Sequence, residues 1–110
     1  MKVVVDTSVI VDYLRTKDLK SLFVKIKNTG DIVISLITVA ELYCGKSVQE
    51  AGPERETLEG IAGGAEIMIP DLKIAKSAGY LRAKYQSSLA DAFIASLAIE
   101  MDLPLATLDK

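Results

Sequence analysis

Four short apolar runs divide this chain, and the spacing between them constrains its fold more than any other feature. Lys2 to Val5 (KVVV), Asp31 to Leu36 (DIVISL), Glu66 to Ile69 (EIMI) and Pro104 to Thr107 (PLAT) each read as a strand. Long segments with helical spacing separate them. Strands joined by helices cannot pair as hairpins, so neighbours must run parallel through crossover connections. A parallel sheet of short apolar strands is covered on both faces. The expected fold is therefore α/β, a three-layer α/β/α sandwich around a short parallel sheet. A chain of 110 residues buries about 65% of its unfolded surface, enough for one domain over residues 1–110 and too little for two.

Local signals place the helices. Thr7 or Ser8 is expected to cap a helix to about Arg15. A second helix is expected from Leu19 to Asn28, with Leu22, Phe23 and Ile26 on one face and a stop at Gly30. Thr38 reads as the cap of a helix through Glu41, Leu42 and Tyr43. Pro53 suits the first turn of the next, which Gly63 and Gly64 end. Leu72 to about Gln86 reads as helical, and Ser88 opens a last helix to about Met101. On that helix Ala90, Phe93, Ile94, Leu97 and Ala98 form a core stripe. Cys44 is expected to pack as a small apolar residue, and Tyr80 and Tyr85 to pack in the core or at its rim rather than to stack on bases. Leu14, Leu22, Phe23 and Leu42 fit either core or a partner surface.

The chain has no histidine and one cysteine. That excludes Ser-His-Asp and Cys-His nucleophile pairs, histidine acid–base chemistry, cysteine zinc clusters and any intramolecular disulfide. No run approaches the ~20 apolar residues of a membrane span, and Asp6 interrupts any signal-peptide core. The expectation is a cytoplasmic protein with no membrane partner. A net charge of −2 conceals a pattern. Basic side chains concentrate in residues 1–30 and 72–90, acidic ones in 41–71 and 91–110. Solvated helix faces explain this, and so does an acidic centre with a phosphate-attracting rim.

Ligands of parallel α/β sheets gather beyond the carboxyl ends of the strands. Four acids fall there or in the helical turns that follow: Asp6, Glu41, Asp91 and Asp109. Each has a structural explanation. Asp6 can cap a helix, Thr38–Glu41 and Ser88–Asp91 resemble capping boxes, and Asp109 can sit in a turn. As a set they imply more. Two carboxylates ~4 Å apart repel by roughly 4 kcal/mol at an effective dielectric near 20. Four converging acids would require protonation or a cation, and an all-oxygen site suits Mg²⁺ or Mn²⁺.

MKVVVDTSVIVDYLR, ITVAELYCG, LADAFIASLA and PLATLDK occur in that order, with an acid in each. Together they resemble PIN domains, and more narrowly the VapC-type toxins of toxin–antitoxin pairs. The resemblance runs from residue 2 to residue 110. It implies a metal-dependent endoribonuclease that cuts single-stranded or loop RNA to 3′-hydroxyl and 5′-phosphate ends. Asp6, Glu41, Asp91 and Asp109 match the acidic quartet that holds Mg²⁺ or Mn²⁺. Thr7 and Thr107 match supporting hydroxyl positions, and Ser8 fits the same role. The resemblance also implies a cognate antitoxin and a homodimer. Arg15, Lys46, Arg82 and Lys84 are basic candidates for guiding RNA. The family usually continues past the fourth acid with a short helix and a further strand, so the final strand is expected to be missing here.

Two other readings compete. One is a non-catalytic PIN-like interaction module whose acids bind a cation or a basic partner. The other is a phosphoacceptor receiver domain. That reading fits less well, because Asp6 has no adjacent acid and Asp71, after Pro70, stands in a capping context.

Overall fold

A computed structural model describes residues 1–108. The elements in chain order are β1 (Lys2–Val5), α1 (Thr7–Thr16), α2 (Leu22–Thr29), β2 (Asp31–Ser35) and α3 (Leu36–Tyr43). A 3₁₀ turn (Lys46–Val48) leads to α4 (Pro53–Gly64), β3 (Glu66–Met68), α5 (Leu72–Tyr85), α6 (Leu89–Met101) and β4 (Leu105–Ala106). The four strands form one parallel sheet in the order β3-β2-β1-β4. Val3 pairs with Ile32, Val4 with Leu105, and Ile34 with Ile67.

Alternation along the central strands sends side chains to two cores. Val5, Ile32 and Ile34 join Val9, Ile10, Leu14, Phe23, Leu42 and Leu58 on one face. Val4 and Val33 join Ile74, Ile94, Leu97 and Ala98 on the other. The helices α1 to α4 therefore cover one face and α5 with α6 the other, which is the three-layer arrangement expected of a parallel sheet. Leu14, Phe23 and Leu42 are core residues, and Leu22 packs against the same cluster.

Several helix starts differ from the sequence expectation, for one recurring reason. A polar residue right at the exit of the strand or turn takes the cap. Asp6, the alternative cap, takes α1 in place of Thr7 or Ser8, with Oδ1 accepting from Thr7 N at 2.8 Å. Ser21 caps α2, because the preceding turn is closed by Asp18, whose Oδ1 accepts from Lys20 N at 2.8 Å. Leu19 is left exposed in that turn. Ser35 caps α3, its Oγ accepting from Ile37 N at 3.1 Å. Leu36 is thereby helical rather than the last strand residue. Thr38 lies inside the helix, and Glu41 moves to the second turn. The expected starts of α4, α5 and α6 hold. Pro53 opens α4, Asp71 Oδ1 caps α5 through Ile74 N at 2.9 Å, and Ser88 Oγ caps α6 through Asp91 N at 3.1 Å. Among the described residues, no helix is long and apolar enough to cross a membrane.

Candidate active site

The site begins at the carboxyl end of β1, where Asp6 is 5% exposed. Its backbone N–H donates to Ala106 O at 2.9 Å, so the β4 edge fixes its position. Three neutral donors hold its carboxylate. Thr7 N reaches Oδ1 at 2.8 Å, while Ser8 Oγ and Thr107 Oγ1 reach Oδ2 at 3.0 and 2.7 Å. Ser8 Oγ also accepts from Leu108 N at 3.0 Å, which ties the segment after β4 to the start of α1. Among the described residues, no lysine or arginine forms an ion pair with this cluster. The ion pairs among the described residues are Lys2–Glu66 and Lys73–Glu100. Neutral donors satisfy the oxygens of a buried carboxylate but supply no counter-charge. That lack, with a donor set made only of oxygens, fits a hard divalent cation.

Glu41 joins through Thr7. Thr7 Oγ1 donates to Glu41 Oε1 at 2.7 Å and lies 3.3 Å from Thr38 Oγ1. The fully buried Thr38 belongs to this network instead of capping the helix. Its spacing of three from Glu41 suggested a capping box. The same residue, one helical turn before Glu41, instead faces Thr7.

Asp91 reaches the region from α6. With Asp6 and Thr107 it lines a cleft of about 350 Å³ at the carboxyl end of the sheet. Asp91 is exposed, as is Glu41. Asp109 lies outside the described residues. Among the described residues, no three acids stand close enough together to hold one metal ion. The structure thus gathers Asp6, Thr7, Thr107 and Glu41 into one hydrogen-bonded network and brings Asp91 to the adjoining cleft. Asp71, the acid a receiver domain would need, is engaged as the cap of α5.

Other residues fall differently from expectation. Cys44 is exposed, because it ends α3 with its N–H on Glu41 O and Leu42 O rather than continuing into the core. Tyr80 and Tyr85 are exposed rather than packed, since α5 buries only Ile74 and Ala78. Tyr85 lines the same cleft as Asp6 and Asp91. Arg15, Lys46, Arg82 and Lys84 are all exposed.

Residues 3–110 match the PIN domain family. Ribonuclease VapC1 of Methanocaldococcus jannaschii is 34% identical over 116 residues, which span 99% of this chain and 76% of that protein. The toxin fold in the crystal structure of DNA-bound VapBC from Salmonella typhimurium is similar at a TM-score of 0.75 and 26% identity, covering 94% of this chain and 83% of that one. VapBC2 from Rickettsia felis, bound to a DNA fragment from its promoter, matches the fold at a TM-score of 0.81 with 24% identity, over 99% of this chain and 88% of that one. With four acid-bearing segments in order and a parallel sheet that carries one of them buried at its carboxyl end, this chain belongs to the PIN domain family.

Proposed function

We propose that this protein is an Mg²⁺- or Mn²⁺-dependent endoribonuclease that hydrolyses RNA phosphodiester bonds as the toxin of a VapBC-type pair. The carrying observation is Asp6, buried at the end of the central strand and held by three neutral donors with no cationic partner among the described residues. The identity to a ribonuclease of the same family supports the reaction class. Toxin–antitoxin complexes among the similar structures support a cognate antitoxin as partner.

Asp6, Glu41, Asp91 and Asp109 are the residues that would hold the ion, which when bound activates water and stabilises charge on the phosphoryl oxygens. The chain's own residues do the rest. Thr107, Ser8 and the Thr7 amide fix both oxygens of Asp6, so one orientation of the carboxylate faces the cleft. Thr7 holds Glu41 Oε1 and leaves Oε2 for a further ligand. The cleft that Asp6 and Asp91 both line would receive the substrate. Such a protein works in the cytoplasm, as a homodimer whose acidic clefts can be joined.

The test is cleavage of single-stranded RNA with Mg²⁺ or Mn²⁺, beside Asp6→Asn and Asp91→Asn. Loss of cleavage in both variants, with folding intact, supports the reading. Equal cleavage by wild type and both variants removes it. Sedimentation gives the oligomeric state directly. The exposure of Glu41 and Asp91 favours one second reading, a non-catalytic module that binds a cation or a basic partner. Mn²⁺ binding by calorimetry without RNA cleavage would select that reading.

A further inference from the structure

The cleft beside Asp6 is acidic in only one part of its wall. Asp91, Ala95 and Ile99 line it from one face of α6, four residues apart. Their spacing carries the wall about 12 Å along the helix, from carboxylate to aliphatic side chain. Leu81 and Tyr85, also four apart, line it from α5. The two helices run antiparallel. Lys73 and Ser77 at the start of α5 meet Glu100 at the end of α6, at 3.0 and 3.2 Å. Tyr85, in the last turn of α5, therefore stands at the Asp91 end of the cleft.

Tyr85 is 66% exposed, and no aromatic ring among the described residues pairs with it. The Lys84 ammonium lies over one face of its ring, 5.4 Å from the centroid, which leaves the other face for a base. Arg82 and Lys84 are exposed in the same helical turn, and neither enters an ion pair among the described residues. A largely exposed ring with one cation over it, lining the same cleft as Asp6 and Asp91, matches the chemistry of single-stranded nucleic acid. The base takes the ring face and the backbone takes the cations. A volume of about 350 Å³ falls at the small-ligand end of binding clefts, suited to one nucleotide rather than a duplex.

Resting on the ribonuclease reading of the same site, we infer that Tyr85 is a specificity-determining residue that stacks on one unpaired base next to the scissile phosphate. Arg82 and Lys84 draw the neighbouring phosphates.

The experiment compares wild type, Tyr85→Phe and Tyr85→Leu on two single-stranded oligoribonucleotides. One is intact, and the other lacks the base beside the cleavage point. Wild type and Tyr85→Phe are expected to agree within about threefold. Tyr85→Leu is expected to raise KM on the intact strand by about 5- to 150-fold, with little change in kcat. On the base-deleted strand wild type suffers the same loss, and Tyr85→Leu adds nothing to it. Equal behaviour of Tyr85→Leu and wild type on the intact strand, or equal losses on both strands, overturns the inference. A parallel measurement follows fluorescence of an oligoribonucleotide carrying 2-aminopurine at that position, without added metal. Quenching that requires an aromatic residue at position 85 upholds the stack even if wild type fails to cleave, in which case only the nuclease reading falls. If Tyr85→Leu instead dissociates a dimer in sedimentation and leaves the quenching unchanged, the surface is an interface between copies and the inference is wrong.

Discussion

Thr107 donates its hydroxyl to Asp6 Oδ2 at 2.7 Å, joining residues 101 positions apart in sequence. Asp6 belongs to the junction of β1 and α1, while Thr107 follows β4. The contact locks the sheet edge to the carboxylate that the sheet presents. One oxygen of Asp6 is thus held by a residue just past a different strand.

Replacing Thr107 by Val keeps the shape and removes this donor. The carboxylate retains Ser8 Oγ and Thr7 N but gains freedom to rotate. A hydrogen bond to a charged group contributes about 1.5–3 kcal/mol. Thr107→Val is expected to lower the urea-unfolding free energy by about 1–2 kcal/mol and cleavage by roughly tenfold. Thr107→Ser should recover most of both. Unchanged cleavage by Thr107→Val would show that Asp6 needs no clamp from this side.

Thr7 serves Glu41 as Thr107 serves Asp6. With Thr7→Val, Glu41 loses the donor at 2.7 Å and becomes an unrestrained exposed side chain. Loss of such a supporting contact typically weakens metal binding about 10–100-fold. Calorimetric titration with Mn²⁺ should register that loss, and Thr7→Ser should restore the affinity. Identical affinities across the three proteins would place Glu41 outside the ion's reach.

Gly30 turns the chain from α2 into β2 with its backbone against Met1. A Cβ there would collide with the Met1 carbonyl oxygen, which already accepts from Asp31 N at 2.9 Å. Backbone does not yield as a flexible side chain does. Gly30→Ala is expected to destabilise the fold by about 1–3 kcal/mol, read as a lower urea midpoint. Gly60, whose added Cβ would meet open space, should accept alanine without loss and with a modest gain in helix stability.

Lys2 gives the fold a basic-pH dependence. Its ammonium donates to Glu66 Oε1 at 2.8 Å, spanning β2 from the start of β1 to the start of β3. That hydrogen bond and the Glu66 charge, with a smaller contribution from Asp31, raise its pKa above the ordinary 10.5 against slight desolvation. A raised folded-state pKa means a contribution fully present below the unfolded value and lost as pH climbs through the folded one. The stability difference between wild type and Lys2→Met should therefore be constant from neutral pH to about 10 and shrink above 10.5. A difference that persists at high pH would assign the effect to packing of the lysine stem.

The strands were legible because β-branched runs between helical segments admit few arrangements. The run DIVISLITVAEL was harder. It is apolar across the strand–helix junction, so periodicity gives no boundary there. Ser35 and Thr38 can both cap a helix, and Glu41 three residues after Thr38 favours the wrong one. The choice belongs to Ser35 because the strand must turn as soon as it leaves the sheet. The candidate acids were legible as types at strand ends. Their separation was not, because it depends on how far α3 and α6 stand from β1. Nor was the exposure of Tyr85 readable, since α5 alternates small and polar residues with little sidedness. Its position became evident only beside Asp91.

The strand order carries a consequence for biogenesis. Synthesis delivers β1, β2 and β3 in the sequence that their pairing requires, and these can associate as they emerge. The other edge of β1 stays open until Leu105 and Ala106 exist to close it. Asp6 is among the first residues made, and Thr107 comes about a hundred residues later. A ribosome-bound chain still short of Thr107 holds Asp6 without this clamp, so that hydrogen-bonded corner closes only after residue 107 has been made.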